Sequence, residues 1–297
     1  MNVLSLFDGI SCARRSIDIA NIPVKNYYGS EIEKNAIFIS KKNYPSIIRL
    51  GTVVDIKIGH PSYPTENIDL LIGGSPCQDL SIAKKGRKGL DGERSGLFWE
   101  YVRIMKEIKP TWFILENVAS MSDKDRDIIS EAMGCQPVMF NASLVSAQSR
   151  KRLFWTNIKF ELPVDRGIIL KNILEPDGLG VIDQQYTLTE TKTGLMGKVV
   201  SGMIKVGHIG KSDGQGNRVY SPEGKSCTLS ANGGGGGAKT GLYNISQHIR
   251  KLTPIECERL QSLPDNYTQG VATTNRYKCL GNAFNCEVIA HILSFIR

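Results

Sequence analysis

Several polar side chains stand where apolar runs of the sequence end, and their types are ones that do chemistry. They are Asp8, Glu31, Asp55, Cys77 and Glu116. In α/β proteins the working residues lie just beyond the carboxyl ends of parallel strands. A cysteine at such a point can act as a nucleophile once it is deprotonated. Taken alone, the Ser75-Pro76-Cys77 segment is better explained by a small buried cysteine, so both interpretations stay open.

Glu31 and Asp55 are candidates for binding a nucleotide. An acidic residue at a strand end can accept hydrogen bonds from ribose hydroxyls, and a carboxylate can accept from an exocyclic amino group such as that of adenine. Each alone is more typical of a solvated loop, but together, at successive strand ends, they indicate an adenosine-containing cofactor. Gly9 would let the backbone approach that ligand closely. Its turn lacks the three-glycine dinucleotide fingerprint, which argues against a nicotinamide enzyme.

A further group of side chains could bind a polar, electron-rich substrate. Glu116 follows an apolar run and could donate a proton or a hydrogen bond. The segment "AQSRKRLFW" supplies Gln148, Arg150 and Arg152, and the alternating arginines would point to one face of a strand. A guanidinium can bind a phosphate or a base carbonyl. The segment 84–94, "KKGRKGLDGER", has five basic and two acidic residues, a balance of +3 that is also typical of a solvated surface loop.

The elements that must position these side chains are alternating strands and helices. We predict strands within "NVLSLF", "KNYYGSEI", "IIRLGTVVDI", "IDLLIGG" and "TWFILENV". Helices are predicted at about 11–20, at about 33–43 and in "GLFWEYVRIMKEI", whose apolar residues recur at helical spacing. This alternation predicts an α/β fold with a doubly wound, mostly parallel sheet.

Composition divides the chain into three predicted parts. Residues 1–165 would form the catalytic and cofactor-binding domain. Residues 166–249 hold 17 of the 30 glycines, which predicts a smaller, loop-rich domain containing β-strands; a flexible insertion is the alternative. Residues 250–297 return to helical periodicity, with Thr253 as a predicted N-cap and Pro254 at the first helical position. The apolar tail "CEVIAHILSFI" would pack back on the large domain.

The overall composition excludes several classes of protein. The net charge of +8 favours a polyanionic partner such as nucleic acid. The 7 cysteines form no CxxC pair, and none shares ligand spacing with a histidine, so we expect neither structural zinc nor disulfides. We expect no signal peptide and no membrane span. The expected location is a reducing, cytoplasmic compartment.

In their order along the chain, these motifs resemble those of the DNA (cytosine-5) methyltransferases. The matching blocks are "LFDGIS", "SEI", "GTVVDI", "GGSPCQDLS", "ENV", "QSRKR", "RKLTPIECERLQSLP" and "YKCLGNAF". They extend from the first predicted strand to Phe284, and the ordered Pro-Cys, Glu-Asn-Val and Gln-x-Arg-x-Arg trio is highly specific. In detail they are similar to the animal de novo enzymes and their prokaryotic relatives. Ser11-Cys12 departs from the glycines found in many members, as do Cys279 and Leu280 from the usual residues.

The resemblance implies a reaction and a role for each catalytic residue. Cys77 would attack C6 of a cytosine swung out of duplex DNA, which activates C5 for methylation. Glu116 would bond N3 and the amino group, Arg152 the base carbonyl and Arg150 a nearby phosphate. The basic loop after Cys77 would close over the flipped base.

The resemblance also implies S-adenosylmethionine as methyl donor, in a Rossmann-like domain, and no metal. Phe7 would lie against the adenine, Gly9 near the methionine part, Glu31 on the ribose and Asp55 on the adenine amino group. The pocket would be completed by Pro76, Leu97 and Asn282. Residues 166–249, with nine basic and six acidic side chains, would form the target-recognition domain on the duplex.

The partners and rivals follow from the same resemblance. We expect a monomer encoded by a bacterium or phage and associated with the nucleoid, with a cognate restriction endonuclease as a further partner. One rival is a tRNA cytosine-5 methyltransferase, although its distinctive insert is missing. Another is a catalytically silent DNA-binding relative, which the intact Cys77, Glu116 and Arg152 argue against. A nucleotide-binding oxidoreductase is a distant third.

Overall fold

The computed structural model describes residues 1–60, 63, 67–76, 95–176, 187–190, 198–211, 213–231, 237, 239–246 and 248–296. Cys77 and the basic segment 84–94 lie outside these ranges. The chain forms two compact units. Unit 1 comprises Met1–Phe140, Lys151–Leu162 and Val288–Arg297, and unit 2 comprises Asn141–Arg150 and Pro163–Glu287.

Within the described ranges, unit 1 is built on a seven-stranded sheet. Its strands are β1 (Asn2–Leu6), β2 (Asn26–Ser30), β3 (Ile48–Gly51), β4 (Leu70–Gly74), β5 (Trp112–Val118), β6 (Val138–Asn141) and β7 (Lys151–Thr156). Their order is β3-β2-β1-β4-β5-β7-β6. The first five pair in parallel, whereas β7 runs antiparallel to β5. The predicted doubly wound, mostly parallel sheet is confirmed.

Capping residues, glycine and proline set the ends of the helices in this unit. They are α1 (Cys12–Ile19), α2 (Lys34–Asn43), α3 (Phe98–Ile108) and α4 (Asp123–Met133). The Ser122 hydroxyl caps α4 by accepting from the Asp125 backbone N–H at 3.1 Å, and Gly134 ends it with a φ of 69°, a conformation that suits glycine. Pro110 follows α3 and prevents its continuation.

Large aromatic side chains fill the core between the sheet and its helices. Trp155 of β7 and both Phe98 and Tyr101 of α3 are fully buried. The Trp155 indole donates from Nε1 to the Ser130 hydroxyl at 2.9 Å, which satisfies its one polar atom. Each such ring stabilises the fold by roughly 1.5–3 kcal/mol through burial alone.

The apolar C-terminal tail belongs to unit 1 from Val288 onward. Helix α7 (Cys286–Leu293) carries His291, whose ring centroid lies 5.7 Å from that of Phe140 and 5.3 Å from that of Phe295. The ring nitrogen Nε2 is 2.7 Å from the Glu161 carbonyl oxygen. This aromatic cluster attaches the last residues to the unit that contains β6.

The described part of unit 2 contains a six-stranded sheet. Its strands are β8 (Leu188–Glu190), β9 (Lys198–Val200), β10 (Met203–Ile209), β11 (Arg218–Tyr220), β12 (Leu242–Ile245) and β13 (His248–Arg250). They follow the order β13-β12-β11-β10-β8, with β9 also on β10. A small apolar core of Val206, Val219, Leu242 and Ile249 lies on this sheet. The region predicted to be loop-rich with β-strands therefore forms a sheet.

Helices α5 (Pro254–Leu260) and α6 (Thr273–Asn282) complete unit 2. Thr253 caps α5 as predicted, and Glu256 reciprocates by accepting from the Thr253 backbone N–H at 2.8 Å. Glu256 also forms an ion pair with Arg250 at 2.7 Å, with both side chains at most 2% exposed. Unit 2 thus includes residues 250–287 as well as the segment predicted for recognition.

No helix in the described ranges is both long enough and apolar enough to cross a membrane. Among the same residues, His, Cys, Asp and Glu side chains form no group of three or more that could hold a metal ion.

Candidate active site

The turn after β1 has an uncommon backbone conformation. Phe7, Gly9 and Ser11 have φ values of 57°, 56° and 62°, in the left-handed region that favours glycine. The Gly9 N–H donates to Glu31 Oε2 at 2.8 Å. A Cβ built on Gly9 would meet only the Phe7 carbonyl oxygen, at 3.9 Å. The turn therefore leaves open space beside its glycine and is held to the end of β2.

Glu31, directly after β2, is fixed by backbone donors. Its Oε1 accepts from the N–H groups of Ile32 at 2.7 Å and Glu33 at 2.8 Å, and its Oε2 accepts from Gly9. A carboxylate has about four lone-pair sites, so these three bonds leave one on Oε2. A ribose hydroxyl can donate there without displacing a backbone group. The free acceptor site on Glu31 and the open side of Gly9 together fit the expected S-adenosylmethionine.

Behind this turn lies a buried carboxyl group, Asp8, which is 5% exposed. Tyr27 donates from its hydroxyl to Oδ1 at 2.7 Å, and the Ser11 hydroxyl donates to Oδ2. Burial raises the pKa of Asp8 above its ordinary value, and the hydroxyl donors oppose this only in part. Asp8 therefore anchors the turn from within the protein.

Asp55 lies at the end of a short 3-10 turn, Val53–Asp55, after β3. The apolar neighbours Val53 and Ile56 are 4% and 0% exposed, while Asp55 is exposed to solvent. The turn thus buries its apolar side chains and leaves the carboxylate accessible. This arrangement suits a group that recognises a ligand.

The ends of β4 and β5 meet at the position expected to carry the nucleophile. Gly74 pairs with Glu116. Asn117, 1% exposed, donates from Nδ2 to the Ser75 hydroxyl at 3.1 Å and to the Ser75 carbonyl at 3.4 Å. Ser75 is thus held two residues before Cys77, which itself lies outside the described residues.

Glu116 and Arg152 form the central charged pair of unit 1. They lie on neighbouring strands, and Arg152 Nε is 2.8 Å from Glu116 Oε1. Their side chains are 13% and 16% exposed, so water screens the pair little. No described residue donates to the other oxygen, Oε2. The pair therefore presents a free carboxylate oxygen and a cation side by side.

The expectation that Arg150 and Arg152 alternate along one strand is wrong. Strand β7 begins at Lys151. The preceding residues bond elsewhere: the Ser149 N–H donates to the Ser226 carbonyl at 2.8 Å, and Ser226 donates back to Ala147 at 2.7 Å. Pairing with Ser226, far along the chain, therefore replaces the alternation that the sequence suggested.

Arg150 is 3% exposed and is occupied by backbone acceptors within unit 2. Its Nη1 donates to the Leu229 carbonyl at 3.2 Å, and its Nη2 donates to Gly281 at 3.1 Å and Ala283 at 2.9 Å. In this structure Arg150 therefore braces unit 2, and the phosphate contact expected from the sequence stays a prediction.

The other expected cofactor residues lie in different parts of the fold. Pro76 follows β4, and Leu97 precedes α3; both are partly exposed in unit 1. Asn282 is exposed at the end of α6 in unit 2. Within unit 1 the structure joins Gly9 to Glu31 and Glu116 to Arg152 by direct bonds.

Sequence reasoning missed two supporting residues. Asn117 had one signal, its place within the Glu-Asn-Val block. Asp8 was noted only as the end of an apolar run, because nothing local indicates that its carboxyl points inward to Tyr27 and Ser11.

The model of the C-5 cytosine-specific DNA methylase family matches residues 1–297. The chain belongs to this family. It is 32% identical over 254 residues to the type II methyltransferase M.HhaI of Haemophilus parahaemolyticus, covering 75% of this chain and 74% of that one. It is 27% identical over 317 residues to the type II methyltransferase M.Bsp6I of Bacillus sp. (strain RFL6), covering 98% and 97%.

Solved structures agree on the fold of this cytosine-5 methylase. The Entamoeba histolytica methyltransferase EhMeth matches with a TM-score of 0.71 at 17% identity, over 99% of this chain and 97% of that one. A putative DNA modification methyltransferase encoded within an E. coli prophage matches with a TM-score of 0.62 at 18% identity, over 99% and 98%. At such identities the likeness shows the fold alone.

The enzyme is thus a DNA (cytosine-5) methyltransferase that takes its methyl group from S-adenosylmethionine. DNA is its substrate. The family, the fold and the methyl transfer to C5 of cytosine in DNA that the sequence predicted are confirmed, while the residue roles stay predictions.

Proposed function

We propose that this methyltransferase acts on a cytosine swung out of duplex DNA and forms a transient bond between Cys77 and C6 of the ring. The supporting observation is the Glu116–Arg152 pair, which lies beside the strand end leading into Ser75 and Pro76. A stacked base cannot be reached without being flipped out, and an unreactive ring carbon needs covalent activation.

Each catalytic group has a defined task in this scheme. The Cys77 thiolate adds to C6, and the displaced electron pair makes C5 nucleophilic. Glu116 bonds N3 and the amino group of cytosine, and Arg152, already paired with Glu116, bonds the base carbonyl. When bound, S-adenosylmethionine supplies an electrophilic methyl group. Loss of the C5 proton then returns electrons to the ring and expels Cys77.

The cofactor would be held by the ends of the first strands. Glu31 would accept from one ribose hydroxyl through the free site on Oε2, and Asp55 from the adenine amino group. Phe7 would lie against the adenine, and the open side of Gly9 would face the methionine part. Leu97, Pro76 and Asn282 are proposed to complete the pocket. These assignments rest on the family motifs together with the geometry described above.

Arg150 is proposed as a brace rather than a phosphate ligand. Its guanidinium bonds the carbonyls of Leu229, Gly281 and Ala283. An arginine that is 3% exposed would have to break these bonds before it could bind DNA.

Residues 166–249 are proposed to read the DNA target. Their strands form the small sheet of unit 2, and their composition is basic. A target-recognition region reads base edges after phosphate contacts have set its register. The catalytic domain is proposed to comprise 1–165, with 250–297 as hinge helix and C-terminal segment.

A monomer in the bacterial cytoplasm, associated with the nucleoid, is proposed as the working form. The type II methyltransferases among its relatives support a cognate restriction endonuclease as partner. Another relative, M.SPRI of Bacillus phage SPR, is 28% identical over 431 residues and is named an orphan methyltransferase. The alternative is therefore an enzyme that has no partner endonuclease.

Bisulfite sequencing of DNA from a host that expresses the chain tests the proposed function. We expect methylated cytosines within one short sequence context. Cys77→Ala should abolish them. Cys135→Ala, which changes a cysteine outside the family motifs, should retain them. Bisulfite sequencing of RNA from the same cells tests the tRNA alternative. Methylation by Cys77→Ala, or methylation found only in RNA, would overturn the proposal.

A further inference from the structure

Arg103 on α3 contacts the turn that carries Asp55. Its Nη2 donates to the Ile56 carbonyl at 3.0 Å and to the Val53 carbonyl at 3.4 Å. These carbonyls belong to the residues on either side of the segment that holds Asp55. One guanidinium thus connects a helix to both ends of a short turn about fifty residues earlier in the chain.

The guanidinium is itself oriented by two carboxylates on its own helix. Glu100 Oε2 accepts from Nε at 2.9 Å and from Nη2 at 2.7 Å. Glu107 accepts from Nη1 at 3.1 Å. Because an arginine is a planar fork, fixing Nε and Nη1 also fixes the direction of Nη2. The two glutamates therefore aim Nη2 at the turn.

A second contact holds the same turn. The Tyr63 hydroxyl donates to the Asp55 carbonyl oxygen, and the Tyr63 ring packs against the main apolar cluster of unit 1. The backbone of Asp55 is thereby fixed while its carboxylate stays exposed. Backbone carbonyls at 53, 55 and 56 are all engaged from outside the turn.

We propose that Arg103 is a positioning residue for cofactor binding: it holds the Val53–Ile56 turn so that Asp55 meets the adenine amino group without further ordering. The inference rests on the proposed role of Asp55. A turn ordered before binding loses less entropy when the ligand arrives, which raises affinity. The expected ligand is an adenosine with its exocyclic amino group intact.

Arg103 is not explained as a helix-surface ion pair alone. Exposed ion pairs on a helix contribute little, and Arg126 on α4 also pairs with two carboxylates, those of Asp123 three residues earlier and Asp127 next to it. The two arginine side chains are similarly exposed, at 33% and 38%. Only the long-range carbonyl bonds distinguish Arg103, which makes Arg126 a matched control.

Calorimetric binding of S-adenosylhomocysteine to the full chain, without DNA, tests the inference. Arg103→Met should weaken binding about tenfold, the loss expected for charge-assisted hydrogen bonds, and Arg126→Met should change it less than about twofold. Asp55→Asn should also weaken binding. Adding Arg103→Met to Asp55→Asn should weaken binding by no more than a further factor of about two, because Arg103 acts through Asp55. In turnover, the KM for S-adenosylmethionine should rise while kcat stays within about twofold.

Hydrogen exchange of the amides at 53–56 gives a readout that needs no ligand. These amides should exchange faster in Arg103→Met and in the milder Arg103→Lys, and at the wild-type rate in Arg126→Met. Arg103→Lys keeps this measurement available should Arg103→Met not fold.

The outcomes separate the inference from the proposed function. Unchanged binding by Asp55→Asn would overturn the adenine role of Asp55. Weakened binding by Asp55→Asn with unchanged binding and exchange in the Arg103 variants would overturn the positioning role alone. Fully additive losses in the double variant would do the same.

Discussion

Glu116 is the residue that makes this site differ from an ordinary strand end. A carboxylate 13% exposed beside an apolar strand is costly unless it is paired, and Arg152 supplies that partner. Arg152 contacts only Oε1, and among the described residues none donates to the other oxygen, which the proposed mechanism assigns to the base. The pair is therefore both a structural contact and the part of unit 1 best suited to hold a base.

Glu116→Gln should lower kcat for methyl transfer by at least about 100-fold, because the amide keeps the volume but neither the charge nor the proton affinity of the carboxylate. Transfer of a labelled methyl group to DNA measures this. Glu131→Gln, at an exposed position on α4, is the matched control and should keep full activity. Retention of more than about a tenth of kcat by Glu116→Gln would count against the role given to this group.

Asp8 should make stability depend on pH. Its folded pKa is raised by burial above the ordinary 3.8, so the folded state binds the proton more tightly. The stabilisation is complete below the unfolded pKa and is lost as the pH rises through the folded one. The free energy of unfolding of wild type minus that of Asp8→Asn should therefore fall with rising pH, by at most about 1.4 kcal/mol per unit.

Urea unfolding at a series of pH values measures this difference. The same series with Asp127→Asn, whose side chain is 66% exposed, is the control for removing a surface carboxylate. A wild-type advantage over Asp8→Asn that grows as the pH rises would refute the account of Asp8.

The sequence placed Glu116 and Arg152 close together, as the structure does, but gave no sign of the backbone contacts that Arg150 makes. Glu116 and Arg152 lie in motifs whose chemistry is local and recognisable. The partners of Arg150 are the carbonyls of Leu229, Gly281 and Ala283, which lie 79, 131 and 133 residues further along the chain. No local pattern reports contacts at that separation.

Among the elements of unit 2, α6 approaches the backbone of a neighbouring segment very closely. A Cβ on Gly281 would lie 2.4 Å from the Ala231 nitrogen, a distance that a side chain cannot occupy without backbone movement. The same glycine carbonyl accepts from Arg150. The last turn of α6 therefore sits against residues 230–231 because residue 281 has no side chain.

Gly281→Ala should destabilise the protein by about 1–3 kcal/mol through overpacking, measured as a fall in Tm. Gly134→Ala is the comparison: Gly134 has a φ of 69° and no atom near the added Cβ, so it reports backbone strain alone, about 1 kcal/mol. Equal losses would show that the contact with Ala231 contributes nothing.

Periodicity predicted most elements of unit 1 but failed at "QSRKR". The helical spacing of α3 and the apolar runs of β1, β4 and β5 are set by burial on known faces, which sequence reports directly. Alternating arginines looked like a strand face. The backbone at 147–149 instead pairs with Ser226, and a partner so distant leaves no signature in local alternation.

For the whole molecule, the boundary between units could not be read from composition. The glycine content changes near residue 166, yet Asn141–Arg150 already belongs to unit 2. That segment is held by Arg150 and by Lys225, whose Nζ donates to the Ser143 carbonyl at 2.6 Å. The composition of these ten residues is ordinary, so the sequence does not show that the chain enters unit 2 there.

The net charge of +8 implies that DNA binding weakens steeply with salt. The logarithm of the association constant should fall linearly with the logarithm of salt concentration, by about 0.9 per phosphate neutralised. Fluorescence anisotropy of a labelled duplex from 50 to about 200 mM salt measures this slope. A flat response would contradict a basic surface that tracks the phosphate backbone.

The proposed mechanism requires the Cys77 sulfur to bond to a cytosine drawn out of its stack. Incubation with S-adenosylmethionine and a duplex bearing 5-fluorocytosine at the methylated position tests it most directly, because fluorine at C5 blocks the proton loss that releases the enzyme. We predict a protein–DNA adduct that survives denaturing electrophoresis in wild type and is missing in Cys77→Ala. If wild type methylates the unmodified duplex but forms no adduct with the fluorinated one, the covalent mechanism is contradicted.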